Sequence, residues 1–408
     1  MGKLIPRSWM SGLLLLTMAG CLARGQGPTR NDLLDPSLSK LFDGKVHKGA
    51  EQGTSEAYLQ PIFPSSHAAN LLQLRNGDLV CVWFSGSWEG ESDVAIVFSR
   101  LNKNSAQWSR PIIVDHRLGE SFQNPVVFEE PNHTLDIFHT TQVAKAGEAQ
   151  AHVLRSQSHD GGTTWSTPEM LFEKDGAFTR HPLVVLNKKK WLMPMTYVTS
   201  KGIGAGSETN YSVMKLSSDE GKTWKECDVP QSFGKVQPSV VRSSEGEFVS
   251  FFRSRASDWI YRSTSKDGCH WSSPTKTVLP NNNASVQAFR LRNGHIVIAF
   301  NNSQERMEEG KKVGAFRKPV TVALSEDDGL TWKYARDVER GRPGFGLAER
   351  NVKVPGREEY SYPTILQAAN GRIYVAYTFR RQTVKVVSFD ENWLRQGATE
   401  GIYTAAIK

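Results

Sequence analysis

Short apolar runs recur along this chain at a near-constant interval. Pro125-Val126-Val127, Pro182-Leu183-Val184-Val185, Pro238-Ser239-Val240-Val241 and Pro363-Thr364-Ile365-Leu366 each open one, and Ala69 to Leu72 and Val286 to Leu291 fit the same register. In four of the six a glycine stands eight positions on (Gly77, Gly246, Gly294, Gly371), followed by a second β-rich run: Leu79 to Phe84, Phe248 to Phe252, Ile296 to Phe300 and Ile373 to Tyr377. Two strand-length runs joined at a glycine predict a β-hairpin. The six starts are 56, 57, 56, 48 and 77 residues apart, the last interval stretched by an insertion rich in Gly, Pro and charge over Arg340 to Glu359. No stretch holds a 3.6-residue period long enough for a helix. Six hairpins at a spacing near 50 predict an all-β chain folded as a six-bladed β-propeller.

A second repeat runs in step with the first. Ser158-His159-Asp160-Gly161-Gly162-Thr163-Thr164-Trp165 has the pattern S-x-D-x-G-x-T-W, which returns over Ser217 to Trp224 and Ser325 to Trp332, with a shortened copy over Ser265 to Trp271. Its chemistry is that of a tight turn: the Asp carboxylate accepts turn amides, the glycine supplies a positive φ, and the Trp lays down an apolar plate. The four tryptophans stand 59, 47 and 61 residues apart. Trp108-Ser109-Arg110-Pro111 matches the Trp-Ser-x-Pro steps at Trp165 and Trp271, so Ser99 to Trp108 reads as a decayed first copy.

Propeller geometry converts register into position. With the Pro-led strand nearest the axis, the residues just before it and the end of the return strand meet at one mouth of the central channel. The first set holds His67, Gln123, Asn124, Arg180, His181, Gln237, Tyr360 and Tyr362, and the second Phe84, Thr140, Tyr197, Arg253, Asn301 and Thr378. A purely structural channel has no need of such a density of Arg, His, Tyr and amides, so this mouth is the expected functional surface.

Composition narrows the setting. The 408 residues suit one propeller with a leader. Lys3 and Arg7 precede a short apolar run, Leu13 to Ala19, too short to span a bilayer and shaped like a signal peptide. The expected division is a signal peptide at 1–25, a linker or clasp at 26–58 and the propeller at 59–408. A secreted or periplasmic location follows, with lipid attachment at Cys21 as an alternative because Met18-Ala19-Gly20-Cys21 approximates a bacterial lipoprotein site. Losing Lys3, Arg7 and Arg24 takes the formal charge from +8 to +5, which favours acidic ligands only where the basic residues converge. Cys81 lies in an apolar run and reads as a buried thiol, while Cys227 and Cys269 both fall at repeat turns, where pairing is open. Asn132, Asn210, Asn283 and Asn301 begin N-x-S/T sequons.

Other chemistries fail on spacing. Gly221-Lys222-Thr223 lacks the upstream glycine of a phosphate loop, since Leu216 stands there, and Gly202 to Gly206 lacks the third glycine and the helix of a dinucleotide site. The ten histidines show no zinc spacing, and no cofactor is implied. The basic and aromatic residues follow the blade period without a basic run, so no nucleic-acid partner is expected. The expected partner is an acidic glycan met by a monomer with no membrane span.

Repeated S-x-D-x-G-x-T-W turns, six blades and a mouth rich in Arg and Tyr resemble the sialidase (neuraminidase) superfamily, in its bacterial-type branch with Asp-box repeats, over residues 60 to 408. The resemblance implies the sialidase type of propeller and an exo-glycosidase with three arginines on a sugar carboxylate, a Tyr nucleophile activated by a Glu, and an acid/base Asp on a loop. A guanidinium fork suits a carboxylate because two parallel charge-assisted bonds fix its orientation. Arg253 matches the second family arginine and Arg317 the third. Tyr360 matches the nucleophile, with Tyr362 its close competitor. His67 replaces the first arginine, and Gln237 or Pro238 stands where the activating Glu belongs. Glu89 is the candidate acid with Asp93 behind it, Arg180 is a further guanidinium by its register, and Tyr197 and Asn301 join the binding set. The mouth also resembles that of β-propeller polysaccharide lyases, in which His67 with a Tyr would do acid/base work on a uronate. A non-catalytic carbohydrate-binding propeller is the third reading.

Overall fold

The computed structural model describes residues 39–199, 207–308, 310–341 and 356–398. The expected leader, Cys21, the Gly202 to Gly206 loop and most of the 340–359 insertion lie outside these residues.

Six antiparallel sheets form a ring of blades, each built as a meander. Blade 1 runs through Ser65–Gln73, Leu79–Gly86, Ala95–Leu101 and Ile112–Asp115, and blade 2 through Glu120–Glu129, Leu135–Val143, His152–Ser158 and Glu169–Phe172. Blade 3 has a broken innermost strand, Ala177–Phe178 and Val184–Val185, both paired with Trp191–Tyr197, followed outward by Tyr211–Ser217 and Lys225–Asp228. Blade 4 comprises Lys235–Arg242, Phe248–Ser254, Trp259–Ser265 and Thr275–Pro280. Blade 5 comprises Gln287–Arg290, Ile296–Asn301, Val320–Ser325 and Tyr334–Glu339, with an inserted hairpin of Glu305–Glu308 and Lys311–Gly314. Blade 6 takes Tyr360–Gln367, Ile373–Phe379 and Thr383–Phe389 from the far end of the chain and its outer strand, Ser55–Tyr58, from the near end. His47–Lys48 adds a short fifth strand. Drawing one blade from both an early and a late part of the chain closes the ring of six sheets.

Alternation along each strand sends apolar side chains to both faces, and every blade is covered on each side by a neighbour. The result is six interblade cores, such as Val249, Phe251, Ile260, Ile298, Ala323 and Trp332 between blades 4 and 5. The S-x-D-x-G-x-T-W turns join the third and fourth strands of blades 2 to 5, at the periphery. In blade 2, Asp160 accepts from Ser158 Oγ at 2.8 Å, Thr164 N at 2.9 Å and Thr164 Oγ1 at 2.6 Å, and Ser158 Oγ accepts from Gly162 N at 2.7 Å. Gly329 of blade 5 (φ 79°) lies so close to Phe251 of blade 4 that a β-carbon would stand 2.4 Å from that ring, so its glycine serves interblade packing as well as the turn.

Cys227 and Cys269 form a disulfide between the outer strand of blade 3 and the turn of blade 4, and Cys81 is buried and free. Of the four sequon asparagines, Asn210, Asn283 and Asn301 are buried and only Asn132 is exposed.

Candidate active site at the channel mouth

The innermost strands of blades 1, 2, 4 and 6 share one irregularity. Each carries an extra residue relative to its partner, between His67 and Asn70, Gln123 and Val126, Val236 and Ser239, and Ser361 and Thr364. Inside each bulge stands a non-glycine residue in the left-handed region: Ala68 (φ 58°), Asn124 (φ 48°), Gln237 (φ 52°) and Tyr362 (φ 54°). Such backbone costs on the order of 1–3 kcal/mol per residue and persists only where its surroundings impose it. A bulge re-aims side chains. Here Asn124, Gln237 and Tyr362 all turn to line one cavity of about 440 Å³ at the mouth of the channel.

Tyr362 is its centre. The phenol accepts a hydrogen bond from Arg253 Nη1 at 2.5 Å, and Arg180, Arg253 and Arg317 stand 5.2, 5.4 and 5.2 Å from its ring centroid. Burial alone would raise its pKa, but the charges of Arg253 and then Arg317 outweigh burial and hold the phenol below its usual value. Arg253 is itself fixed, Nε to Asn283 Oδ1 at 2.8 Å and Nη1 to Gln237 Oε1 at 3.0 Å, while its Nη2 has no hydrogen-bond partner among the described residues.

A second cluster adjoins it. Buried Glu359 accepts from Arg317 Nη1 at 2.6 Å, Arg357 Nε at 2.6 Å, Arg381 Nε at 3.0 Å and Ser361 Oγ at 2.8 Å. Burial pushes its pKa up, yet Arg381, Arg317 and Arg357 together hold it well below the usual carboxylate range. Glu89, on the loop between the second and third strands of blade 1, accepts from Arg381 Nη1 at 3.0 Å. Its neighbour Trp88 lies 5.1 Å from Arg357 and 5.3 Å from Arg381. Asp93 braces this loop by accepting from Ser87 N and Oγ and is absent from the cavity wall.

Glu89, Gln123, Asn124, Gln237, Arg253, Arg317 and Tyr362 therefore come together, whereas Tyr360, His67, Arg180, Tyr197 and Asn301 do not line the cavity. Of the two tyrosines it is Tyr362, not Tyr360, that faces the cavity, because the bulge after Ser361 breaks the alternation that would put both on one face; Tyr360 packs in the core against Phe379 and its hydroxyl donates to Glu358 at 3.1 Å. Arg180 is not a free guanidinium. Leaving the gap in the inner strand of blade 3, it donates to Ala69 O (3.0 Å), Ser285 Oγ (3.1 Å) and Tyr362 O (2.9 Å), tying blades 1 and 6 to the blade 5 approach loop across the axis. His67 lies behind Tyr362 with ring centroids 4.2 Å apart, its Nδ1 2.7 Å from Thr378 Oγ1. Burial, then Arg381, drives its pKa well down, so the imidazole is neutral. Tyr197 faces the opposite side of its strand and donates to Glu226 at 2.8 Å, leaving Thr196 and Val198 on the cavity. Asn301 Nδ2 ties Pro319 O (2.9 Å) to Tyr360 O (2.7 Å).

Comparison with known proteins fits this architecture. Residues 77–375 match the family described as the BNR repeat-like domain. The chain belongs to that family. No curated protein matches its sequence. Among solved structures this BNR repeat-like propeller is similar to a Hadza microbial sialidase, with a TM-score of 0.63 and 15% identity over 81% of this chain and 67% of that one. A leech intramolecular trans-sialidase gives a TM-score of 0.63 and 12% identity over 83% and 70%. A Dyadobacter fermentans protein of unknown function gives 0.62 and 14% over 83% and 99%. At these identities the likeness establishes the sialidase-type propeller fold and leaves chemistry to the site.

Sequence reasoning missed Glu148, Arg255, Arg357, Glu359 and Arg381, all on the cavity wall of this BNR repeat-like propeller. Arg255 and Arg381 each follow a return strand by one or two residues, so counting past the strand end would have found them. Glu148 and Arg357 sit in loops outside the repeat, where no register applies.

Proposed function

We propose that the protein is a sialidase-like exo-glycosidase that removes a terminal acidic sugar from glycans outside the cytoplasm. One observation carries the reading: a phenol with lowered pKa inside a cavity, its hydroxyl held by a guanidinium that retains an unbonded donor. Tyr362 serves as nucleophile on an anomeric carbon as a phenolate, its charge spread over the ring and balanced by Arg253 and Arg317, which limits repulsion from the sugar's own carboxylate. Arg253 and Arg317 bind that carboxylate, and a cavity carboxyl protonates the leaving oxygen. The solved neighbours named as sialidases support the reading by fold.

A uronate lyase is favoured by one feature, that among the described residues the Tyr362 hydroxyl is hydrogen-bonded to an arginine alone, as befits a phenolate base. His67, the base expected for that reaction, lies behind Tyr362 and off the cavity wall. The test is product analysis after incubation with 4-methylumbelliferyl α-sialoside, sialyllactose and uronate oligosaccharides. Release of a free acidic sugar supports the hydrolase. An ultraviolet-absorbing unsaturated uronate establishes the lyase, and binding without turnover refutes both.

A further inference from the structure

The hydrolase reading leaves the proton donor to the leaving group open among four cavity carboxyls, Glu89, Glu148, Glu358 and Glu359. Three of them are engaged. Glu359 holds three guanidiniums and a serine hydroxyl. Glu358 accepts the Tyr360 hydroxyl at 3.1 Å and stands 4.0 Å from Lys318 and 3.6 Å from Arg380. Glu89, the acid expected from the sequence, is bonded to Arg381.

Glu148 differs. It opens a one-turn 3-10 segment, Glu148–Gln150, in the loop between the second and third strands of blade 2, and Gly147 with φ 98° turns the chain there. Among the described residues no hydrogen-bond donor reaches its carboxyl, and its nearest cation is Arg255 Nη2 at 3.8 Å. The Arg255 side chain is nearly buried and its Nε has no partner among them. A largely buried carboxyl without donors is held more cheaply as the neutral acid than as the ion.

We infer that Glu148 is the general acid/base of this site, with Arg255 as the positioning cation that receives its conjugate base. This assignment rests on the hydrolase reading. In the first step the Glu148 proton passes to the glycosidic oxygen, the bond between that oxygen and the anomeric carbon breaks with its electron pair going to the oxygen, and the Tyr362 oxygen bonds to the anomeric carbon. The new Glu148 carboxylate needs only a small shift to close on Arg255. In the second step it takes a proton from water as the water oxygen displaces Tyr362, restoring the acid and the phenolate. The groups facing Glu148 divide in sign: burial raises its pKa most, Arg255 from blade 4 opposes this, Glu89 from blade 1 adds to it and Arg253 from blade 4 opposes it, with a net rise.

Leaving-group dependence tests the assignment. Protonation matters for the alkyl oxygen of sialyllactose and little for the acidic phenol of 4-methylumbelliferyl α-sialoside. E148Q is expected to lose roughly 100-fold or more in kcat/KM on sialyllactose and less than about tenfold on the aryl sialoside, as befits loss of a general acid. The alkaline limb of its pH profile should vanish, because activity requires the protonated carboxyl and falls as pH rises through that group. E89Q should penalise both substrates by similar factors. A structural role predicts a lower Tm for E148Q. A raised folded-state pKa predicts the opposite: the ionised form destabilises the fold at neutral pH, so removing the charge leaves Tm equal or higher. A leaving-group split in E89Q instead, or equal losses on both substrates in E148Q, overturns the assignment while the hydrolase reading stands. Inactivity of the wild type on both substrates overturns the two together.

Discussion

The peripheral Asp-box turns and the axial mouth solve one problem, the placement of carboxylates in a β-propeller, in opposite ways. In the boxes every partner lies within four residues: Asp327 accepts from Ser325 Oγ at 2.8 Å, Thr331 N at 2.8 Å and Thr331 Oγ1 at 2.5 Å. At the mouth, Glu359 is satisfied by guanidiniums from Arg317, Arg357 and Arg381, brought together by blades 5 and 6. The first arrangement is local, solvated and repeated. The second is buried, unique and charged on all sides. Local satisfaction makes a motif that survives in any blade, whereas the non-local kind sets charges in low dielectric, where they act strongly on a phenol or a substrate.

Five substitutions test that contrast. Glu359→Gln should have the largest effect, because it removes the buried carboxylate that three guanidiniums share; a loss of about 3–5 kcal/mol is expected in denaturant unfolding. A shift under about 1 kcal/mol would mean that solvent already screens the cluster. Next, Tyr362→Phe should lower kcat by roughly 100- to 1,000-fold, about 2.7–4 kcal/mol, with Tm nearly constant, while Tyr360→Phe leaves kcat within a few-fold; the reverse order in steady-state kinetics would return the nucleophile to Tyr360. Arg317→Lys keeps charge but loses the fork, so about a tenfold drop in kcat/KM is expected, or 1.4 kcal/mol. Unchanged kinetics would remove Arg317 from substrate contact. Asp327→Ala should be mildest, near 1 kcal/mol of stability with kcat/KM unaltered, and any kinetic loss would show that rim and mouth are coupled.

Titration separates the regions by sign. Hydrogen bonds from Thr223 and Ser217 hold Asp219 down at about 2. Its stabilisation is therefore complete above the ordinary Asp value near 3.9 and fades as pH falls toward 2. For Glu148 the contribution runs the other way, since its raised pKa favours the protonated state and ionisation disfavours the fold. Acid unfolding followed by tryptophan fluorescence in wild type and Asp219→Asn should show a smaller low-pH loss in the variant.

This difference also explains what could be read from the chain alone. Box geometry is written in eight consecutive residues, so Ser158 to Trp165 declares its turn, and six hairpin registers declare six blades. Arg253 and Arg317 were legible because they keep fixed offsets from those repeats. Tyr362 was ambiguous because one bulged residue, invisible in an apolar pattern, decides which of two tyrosines faces the axis. Tyr197 failed by one position of strand alternation. Arg180 had the right register but the inner strand breaks there, turning a mouth residue into an axial tie. Arg357 and Glu148 belong to loops whose course is set by what they pack against.

Ring closure joins an early strand and the late strands in the blade that carries Tyr362. Ser55–Tyr58 pairs with Thr383–Phe389, and this same blade supplies Tyr362, with Glu359 just before its first strand and Arg381 at the turn after its second. On the proposed hydrolase reading, turnover therefore requires this closure, because Tyr362 lies in the blade that Ser55–Tyr58 completes. In a refolding experiment, the first appearance of catalysis would time the moment at which the circle shuts.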